Sequence, residues 1–347
     1  MERVLIGMSG GVDSSVAAAL LKEQGYEVIG ATLKLRDNPT SEQRDAASVC
    51  TLLGIEHHVL DFSDAFLKQV IDPFVSRYQE GKTPNPCIFC NRYIKFSALF
   101  EAAKTLNCDY IATGHYARMA TVNGRKTFLR EEQNPKDQTY VLYPLTQELL
   151  SRLLLPLSGL DKEQVRALAR KYGLPIAEKA DSQEICFIPD HDYGKFLREY
   201  TKTTPTPGNF IDREGRVLGQ HTGIWDYTVG QRKGLGIALG TPVYVTRINP
   251  ADNTVTLGVS GQEYHRSLIA ADLNWMAIEA LTEPTELEVK IRYGGKPQPA
   301  TVTPLADGSV RVDFSEPLRA VTPGQAVVFY KDNLLIGGGE IQSGELL

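Results

Sequence analysis

The sequence predicts an α/β domain built on a parallel sheet, followed by two small all-β modules. Three observations carry this. Apolar strand-like and amphipathic helix-like stretches alternate through the first half. Helical periodicity stops after the Thr- and Pro-rich run Thr201–Gly208. Beyond it, short strands alternate with Gly, Pro, Asn and Asp turns, the pattern of small barrels or rolls. The expected division is 1–202, 203–278 and 279–347, with the second break set near Ala277–Pro284.

The elements follow in order. Val4–Gly7 reads as the first strand, and a helix runs from about Asp13 to Gln24, where Gly25 ends it. Glu27–Leu33 is the second strand. Ser41 is the expected N-cap of a helix that reaches Leu53 and stops at Gly54. Ile55–Leu60 is the third strand, and a helix from about Asp64 to Glu80 follows. The proline loop Thr83-Pro84-Asn85-Pro86 precedes a helix from about Arg92 to Leu106, and Asp109–Thr113 is the next strand. Asp161 caps Lys162–Tyr172, and Asp192–Tyr200 is short and amphipathic. The predicted later strands are Pro242–Ile248, Thr254–Gly258, Leu287–Arg292, Ala300–Pro304, Val310–Phe314 and Ala326–Tyr330.

Composition bounds the function. A chain of 347 residues holds two or three domains. Its 42% hydrophobic and 23% charged residues are ordinary for a globular protein. The net charge of −5 excludes a uniformly basic nucleic-acid binder but not a local basic patch. No apolar run reaches membrane-spanning length. Met1 leads straight into a strand, so no signal peptide and a cytoplasmic location are expected. Five cysteines is an odd number, which favours metal or redox chemistry over structural disulfides.

The run Gly7-Met8-Ser9-Gly10-Gly11-Val12-Asp13-Ser14-Ser15 joins strand to helix. Glycines there let the backbone approach a phosphate, and the helix start offers free amides and the positive dipole end. Asp13 beside a polyanion is expected either to cap the helix or to work through Mg2+. The absence of Gly-Lys-Ser/Thr excludes the common γ-phosphate loop. In a parallel sheet, ligands sit at the carboxyl ends of the strands. Leu33 and Gly114 end two other predicted strands, so three chain positions converge on one crevice. The loop resembles the SGGxDS loop of the ATP pyrophosphatases (adenine nucleotide alpha hydrolase-like), which adenylate a substrate and release pyrophosphate.

Cysteines give the second signal. Cys87-Ile88-Phe89-Cys90 lies just before a predicted helix, and Cys186 lies far downstream in Asp181–Pro189. Such a pair can hold a metal or cluster, or form a redox pair with lowered thiol pKa, or be structural. Cys50 and Cys108 sit in apolar contexts and read as core residues. His57-His58 follows a strand period with no ligands nearby, and His191, His221 and His265 carry no spacing signal.

Further motifs extend the resemblance along nearly the whole chain. They are Asn85-Pro86 with Cys90-Asn91, Ala112–Tyr116, Lys136-Asp137-Gln138, Asp181-Ser182 with Cys186, Gly230–Gly236 and Thr322–Gln325. Together with the glycine loop they resemble the tRNA-specific 2-thiouridylases. The resemblance implies a catalytic domain, a central β domain and a C-terminal β-barrel. It implies ATP and Mg2+, with ATP held by Gly7–Ser14, Leu33 and Gly114. It assigns Cys90 as the catalytic cysteine and Cys186 as the carrier or support of incoming sulfur. It places Asn85, Pro86 and Cys87 at the target base, and His115, Lys136, Asp137, Gln138, Arg292, Tyr293 and Gln325 against tRNA. The implied sulfur donor is a cysteine desulfurase, a sulfur carrier or sulfide.

One position departs. Many members carry an aspartate with an acid/base role where this chain has Cys87, so that role does not carry over. Two readings stay open: Cys87, Cys90 and Cys186 as ligands of a [4Fe–4S] cluster, or persulfide and disulfide chemistry at Cys90 and Cys186. Other classes consistent with parts of the chain are a pyrophosphatase adenylating a small molecule and a non-catalytic RNA-binding protein.

Overall fold

The computed structural model describes residues 1–36, 41–180, 185–188, 190 and 192–347. The first sheet is parallel throughout, in the order β3-β2-β1-β4-β7. Its strands are β1 (Arg3–Gly7), β2 (Glu27–Lys34), β3 (Glu56–Asp61), β4 (Tyr110–Ala112) and β7 (Leu153–Leu154). Val4, Leu5 and Ile6 are fully buried, because helices cover both faces of the sheet. Chain order reverses at β1, with β2 on one side and β4 on the other, so the crevice at their carboxyl ends is the switch point.

Helix Val12–Glu23 follows β1, and Ser41–Leu53 follows β2. The helix after β3 is one rod in three parts: Ser63–Phe66, Leu67–Ile71 and Asp72–Gln79. Its middle part is π-helical, with the Asp72 amide bonded to the Leu67 carbonyl. Pro73 lies just beyond and has no amide to give, and the widened turn absorbs that loss.

The cysteine helix differs from the expected Arg92–Leu106. It starts at Pro86 and runs as Pro86–Phe89, a π run Cys90–Lys95, and Phe96–Thr105. Asn85 caps it, its side chain accepting from the Cys87 amide at 3.1 Å. Cys87 and Cys90 therefore lie inside a helix, three residues apart on one face, rather than in a turn before it.

Sequence patterning also missed a hairpin, β5 (Arg118–Val122) and β6 (Arg125–Leu129). Asn123 and Gly124 form its turn, both with positive φ. The hairpin leaves the first domain and joins the last one through Leu129 and Leu334.

The central module is a four-stranded sheet of β8 (Gly208–Ile211), β9 (Val217–His221), β10 (Val243–Asn249) and β11 (Thr254–Val259), in the order β10-β11-β8-β9. The last module contains β12 (Tyr264–Trp275), β13 (Thr285–Lys290), β14 (Gln298–Pro304), β15 (Val310–Arg319), β16 (Ala326–Lys331) and β17 (Leu334–Leu346). These run β12-β15-β14-β13-β16-β17, and β12 pairs back onto β17, which closes a six-stranded barrel. The expected break at 278 is corrected by β12, whose hydrogen bonds go to β15 and β17. The division between the β modules falls between Val259 and Tyr264.

A single core runs from the first sheet into the barrel. Leu5, Phe96 and Ile111 belong to the same buried cluster as Phe128, Tyr140, Val328, Tyr330 and Leu335. Phe128 sits on β6 at the centre of this continuity and is fully buried. Phe128→Ala is expected to cost about 3–5 kcal/mol. The loss should appear in urea unfolding as a lower midpoint shared by catalytic-domain and barrel probes. A shift confined to one probe would contradict the continuous core.

Candidate functional site

The glycine loop is built as its sequence suggests, with one change of role. Gly11 is the N-cap of the first helix and makes no side-chain capping bond. The helical ladder opens weakly, Ser15 N donating to Gly11 O at 3.4 Å. The amides of Val12, Asp13 and Ser14 thus stand ahead of it without an intrahelical acceptor. Ser9 and Ser14 are linked, Oγ to Oγ at 3.1 Å, and Ser15 Oγ donates to Gly11 O at 2.8 Å.

Asp13 does not cap the helix. Its Oδ1 accepts from Tyr116 Oη at 2.6 Å and from Lys162 Nζ at 2.7 Å. Lys162 is the first residue of helix Lys162–Lys171, whose start is fixed by a capping box of Asp161 and Gln164. A lysine at a helix N-terminus opposes the dipole, and its pairing with Asp13 accounts for its presence there. Lys179 adds a second tie, Nζ donating to Gly10 O at 3.1 Å and to Asp45 at 2.7 Å. Sequence reading passed over both lysines. The first left a signal in its unfavourable helix position; the second left none.

The three expected strand ends do meet. Met8 N donates to Ala31 O at 2.7 Å, and Thr32 Oγ1 donates to Met8 O at 2.8 Å, which joins the loop to the strand of Leu33. Gly114 packs against the loop so closely that an added Cβ would lie 2.7 Å from Asp13 C and Ser14 N. Gln138 clamps the same segment by exchanging two bonds with the Tyr116 backbone, at 2.9 and 2.8 Å.

The five cysteines are free thiols, and Cys50 and Cys108 are buried core residues as expected. Cys87 and Cys186 reach the surface and Cys90 is buried, and the thiols of Cys87, Cys90 and Cys186 feel one another's charge. Their acidity reverses the expectation of a lowered pKa. Burial pushes all three up, Cys186 to about 11, and the Lys95 charge only partly offsets this. Arg36 holds the Cys186 segment, its NH2 donating to Cys186 O at 2.5 Å. Asp181 and Ser182 lie outside the described residues. Among the described residues, no three His, Cys, Asp or Glu side chains are arranged to hold a metal ion.

The remaining singled-out residues divide. His115 is buried, hydrogen-bonded to Thr113 Oγ1 at 2.8 Å and stacked near Phe96, and burial holds its pKa well below the ordinary value. Asp137 spends its carboxylate on Thr139 and on the Glu131 amide, and the Lys136 amide bonds Asn134. Tyr293 is exposed, touches the ring of Tyr140, and lies close enough to Asp137 and Cys87 to feel both. Lys290, which sequence reading did not single out, lies over the Tyr140 and Tyr293 rings at 5.6 Å.

Gln325 donates its Nε2 to Thr83 O at 2.7 Å, while Thr83 N donates to Pro323 O and Thr83 Oγ1 to Thr228 Oγ1. All three modules therefore meet at the proline loop that precedes the cysteine helix. A cleft of about 230 Å³ opens there, lined by Thr83, Thr228, Gly230, Arg292, Arg319 and Gln325.

Comparison with known proteins agrees with this geometry. Residues 2–190 match a family described as the tRNA methyl transferase HUP domain. Residues 194–259 match the tRNA methyl transferase PRC-barrel domain, and 265–341 the aminomethyltransferase beta-barrel domain. The tRNA-specific 2-thiouridylase MnmA of Acetivibrio thermocellus is 51% identical over 98% of this chain and 99% of its own length. The protein of the same name from Carboxydothermus hydrogenoformans is 52% identical over 98% of both chains. This chain belongs to the tRNA-specific 2-thiouridylase family. The thiouridylase fold expected from the motifs is the fold observed, a parallel-sheet domain followed by two β modules.

Gly114 offers a direct test of the expected anion site in this thiouridylase. Gly114→Ala should push the Asp13–Ser14 backbone and weaken pyrophosphate binding about tenfold, ~1.4 kcal/mol, with circular dichroism unchanged. Titration calorimetry reads the affinity, and an unaltered Kd would mean that the close approach has no bearing on the ligand.

Proposed function

We propose that this chain catalyses ATP-dependent 2-thiolation of the wobble uridine of tRNA, releasing AMP and pyrophosphate. Family membership supports the tRNA-uridine chemistry. The observation that carries the mechanism is the pairing of a free-amide glycine loop with the two thiols of the neighbouring helix, Cys87 and Cys90, and the Cys186 thiol beside them.

The C2 oxygen of uridine is a poor leaving group, and adenylation turns it into a good one. Three free amides and the serine hydroxyls of the loop suit the pyrophosphate, and Leu33 and Gly114 flank the nucleotide. Asp13 is the loop carboxylate that would hold an Mg2+ bound with ATP, and Lys162 and Tyr116 keep that carboxylate in place.

A persulfide on Cys186 then attacks C2 through its terminal sulfur, and the C2–O bond breaks with AMP taking the electron pair. The Cys90 thiolate next attacks Cys186 Sγ. The S–S bond breaks, the base leaves as a 2-thiolate and takes up a proton, and a Cys90–Cys186 disulfide remains. A dithiol reductant resets it. The sulfane sulfur comes as a persulfide from a cysteine desulfurase or a sulfur carrier; sulfide supplies it only by attacking the Cys90–Cys186 disulfide, whose S–S bond breaks to give the Cys186 persulfide and the Cys90 thiolate.

Arg292 lines the interdomain cleft, and together with Lys136, Lys233 and the exposed Tyr293 it supplies cations and a ring for tRNA. An anticodon base is single-stranded and enters a pocket at modest cost.

Two experiments test the reading. Asp13→Ala should abolish tRNA-stimulated pyrophosphate release while the protein stays folded, and wild-type production of ADP would overturn it. Cys90→Ser and Cys186→Ser should keep pyrophosphate release and lose 2-thiouridine. Iron-free wild type, supplied with a persulfide donor, should retain activity; restoration only by iron would replace the relay with a cluster at Cys87, Cys90 and Cys186.

Binding should also carry the mark of phosphate contacts. Lys233→Ala and Arg292→Ala are expected to weaken tRNA binding, and wild-type affinity should fall steeply as salt rises from low to physiological strength. Salt-independent affinity would remove the electrostatic basis of the tRNA surface.

A further inference from the structure

A loop that is to receive an anion must show it amides and hold its carbonyls back. Three carbonyls of the glycine loop have donors that do so. Gly11 O accepts from Ser15 Oγ at 2.8 Å, Gly10 O from Lys179 Nζ at 3.1 Å, and Met8 O from Thr32 Oγ1 at 2.8 Å. The last of these donors has a second partner. Thr32 Oγ1 also lies 2.8 Å from His57 Nε2.

Proton counting fixes the direction of this chain of bonds. A hydroxyl has one proton, and a carbonyl oxygen can only accept. Thr32 therefore gives its proton to Met8 O, and His57 Nε2 carries the hydrogen that Thr32 Oγ1 accepts. Burial, with the neighbouring His58, lowers the His57 pKa, so the neutral ring with its single N–H is favoured. The other tautomer, protonated on Nδ1, would draw the Thr32 hydroxyl to Nε2 and away from Met8 O.

Strand register brings these groups into reach. Gly30 pairs with His57 across β2 and β3, and Thr32 lies two residues further along β2. His57, Gly30 and Thr32 therefore share one face of the sheet. At Gly30 an added Cβ would lie 2.8 Å from Cys50 Sγ and 3.2 Å from Met8 Cγ, so the missing side chain is what lets Met8 pack over the strand. Thr32 is 3% exposed and Met8 2%, which keeps water from replacing either bond.

We infer that His57 is a positioning residue for the glycine loop: as its Nε2–H tautomer it orients the Thr32 hydroxyl, which holds the Met8 carbonyl back on β2 and leaves the loop amides to the pyrophosphate. This rests on the anion-binding reading of the loop given above.

The test is a double-mutant cycle on the affinity for inorganic pyrophosphate, read by titration calorimetry. Thr32→Val should weaken binding about fivefold and His57→Leu about threefold, while Thr32→Ser, which keeps the hydroxyl, should stay near wild type. The double variant should bind no worse than Thr32→Val, because His57 acts only through Thr32. A general loss of packing would instead make the two effects add, and additivity overturns the inference. A measurement on wild type alone stands beside the cycle. In 15N-histidine spectra at pH 8, with the His57 signals assigned by their loss in His57→Leu, the proton should sit on Nε2; an Nδ1–H ring overturns the inference whatever the variants do. Wild type that binds no pyrophosphate would bring down the anion-site reading itself. Wild type that binds it, with all variants equal to it, would bring down the role of His57 alone.

Discussion

The hydrogen bonds of Thr83 and Asn85 are the constraint on which the rest of the site depends. Thr83 is held by Pro323 and Gln325 of the barrel and by Thr228 of the central module. Two residues later, Asn85 caps the helix that carries Cys87 and Cys90. The position of the Cys87 and Cys90 thiols is therefore set by all three modules at once. Ion pairs reinforce the junction on either side, Arg77 with Glu340 at 3.0 Å and Arg92 with Asp272 at 2.5 Å. Glu340 is buried, so its pair with Arg77 acts in a medium where losing one partner is expensive.

The glycine loop and the thiol cluster make opposite electrical demands. At the loop, the free amides, Lys162 and Lys179 gather positive potential around one carboxylate. At the cluster, burial opposes charge, and a single ammonium offsets that opposition in part. The raised thiol pKa values favour neutral thiols at rest. An exposed low-pKa thiolate would be open to oxidation or stray alkylation.

Much of this was legible in the sequence where local pattern and tertiary role coincide. The glycine loop, the strands around it and the Asp161 cap each follow from short-range chemistry, and the structure keeps them. The cysteine helix was misread because Pro86 and Asn85 look like loop residues, although proline in the first turn behind an asparagine cap is a helix start. The β5–β6 hairpin was overlooked despite Asn123-Gly124, since its strands are short and half exposed. The long strand β12 crosses the apparent linker, and only its pairing with β17 reveals where the barrel begins. Lys95, Lys162 and Lys179 were invisible for another reason. A lone lysine has no pattern, and its meaning appears only when the chain folds around its ammonium group.

The shared core of hairpin and barrel has a consequence for how the chain is made. Phe128 and Tyr140 leave the ribosome well before Val328, Tyr330 and Leu335, which cover them. Until then the nascent first domain presents an aromatic surface and an unpaired strand edge at β6, both adhesive features. Release of the full-length polypeptide is thus coupled to completion of its first domain. A chain cut short before Val328 would leave that aromatic surface uncovered, a liability for aggregation.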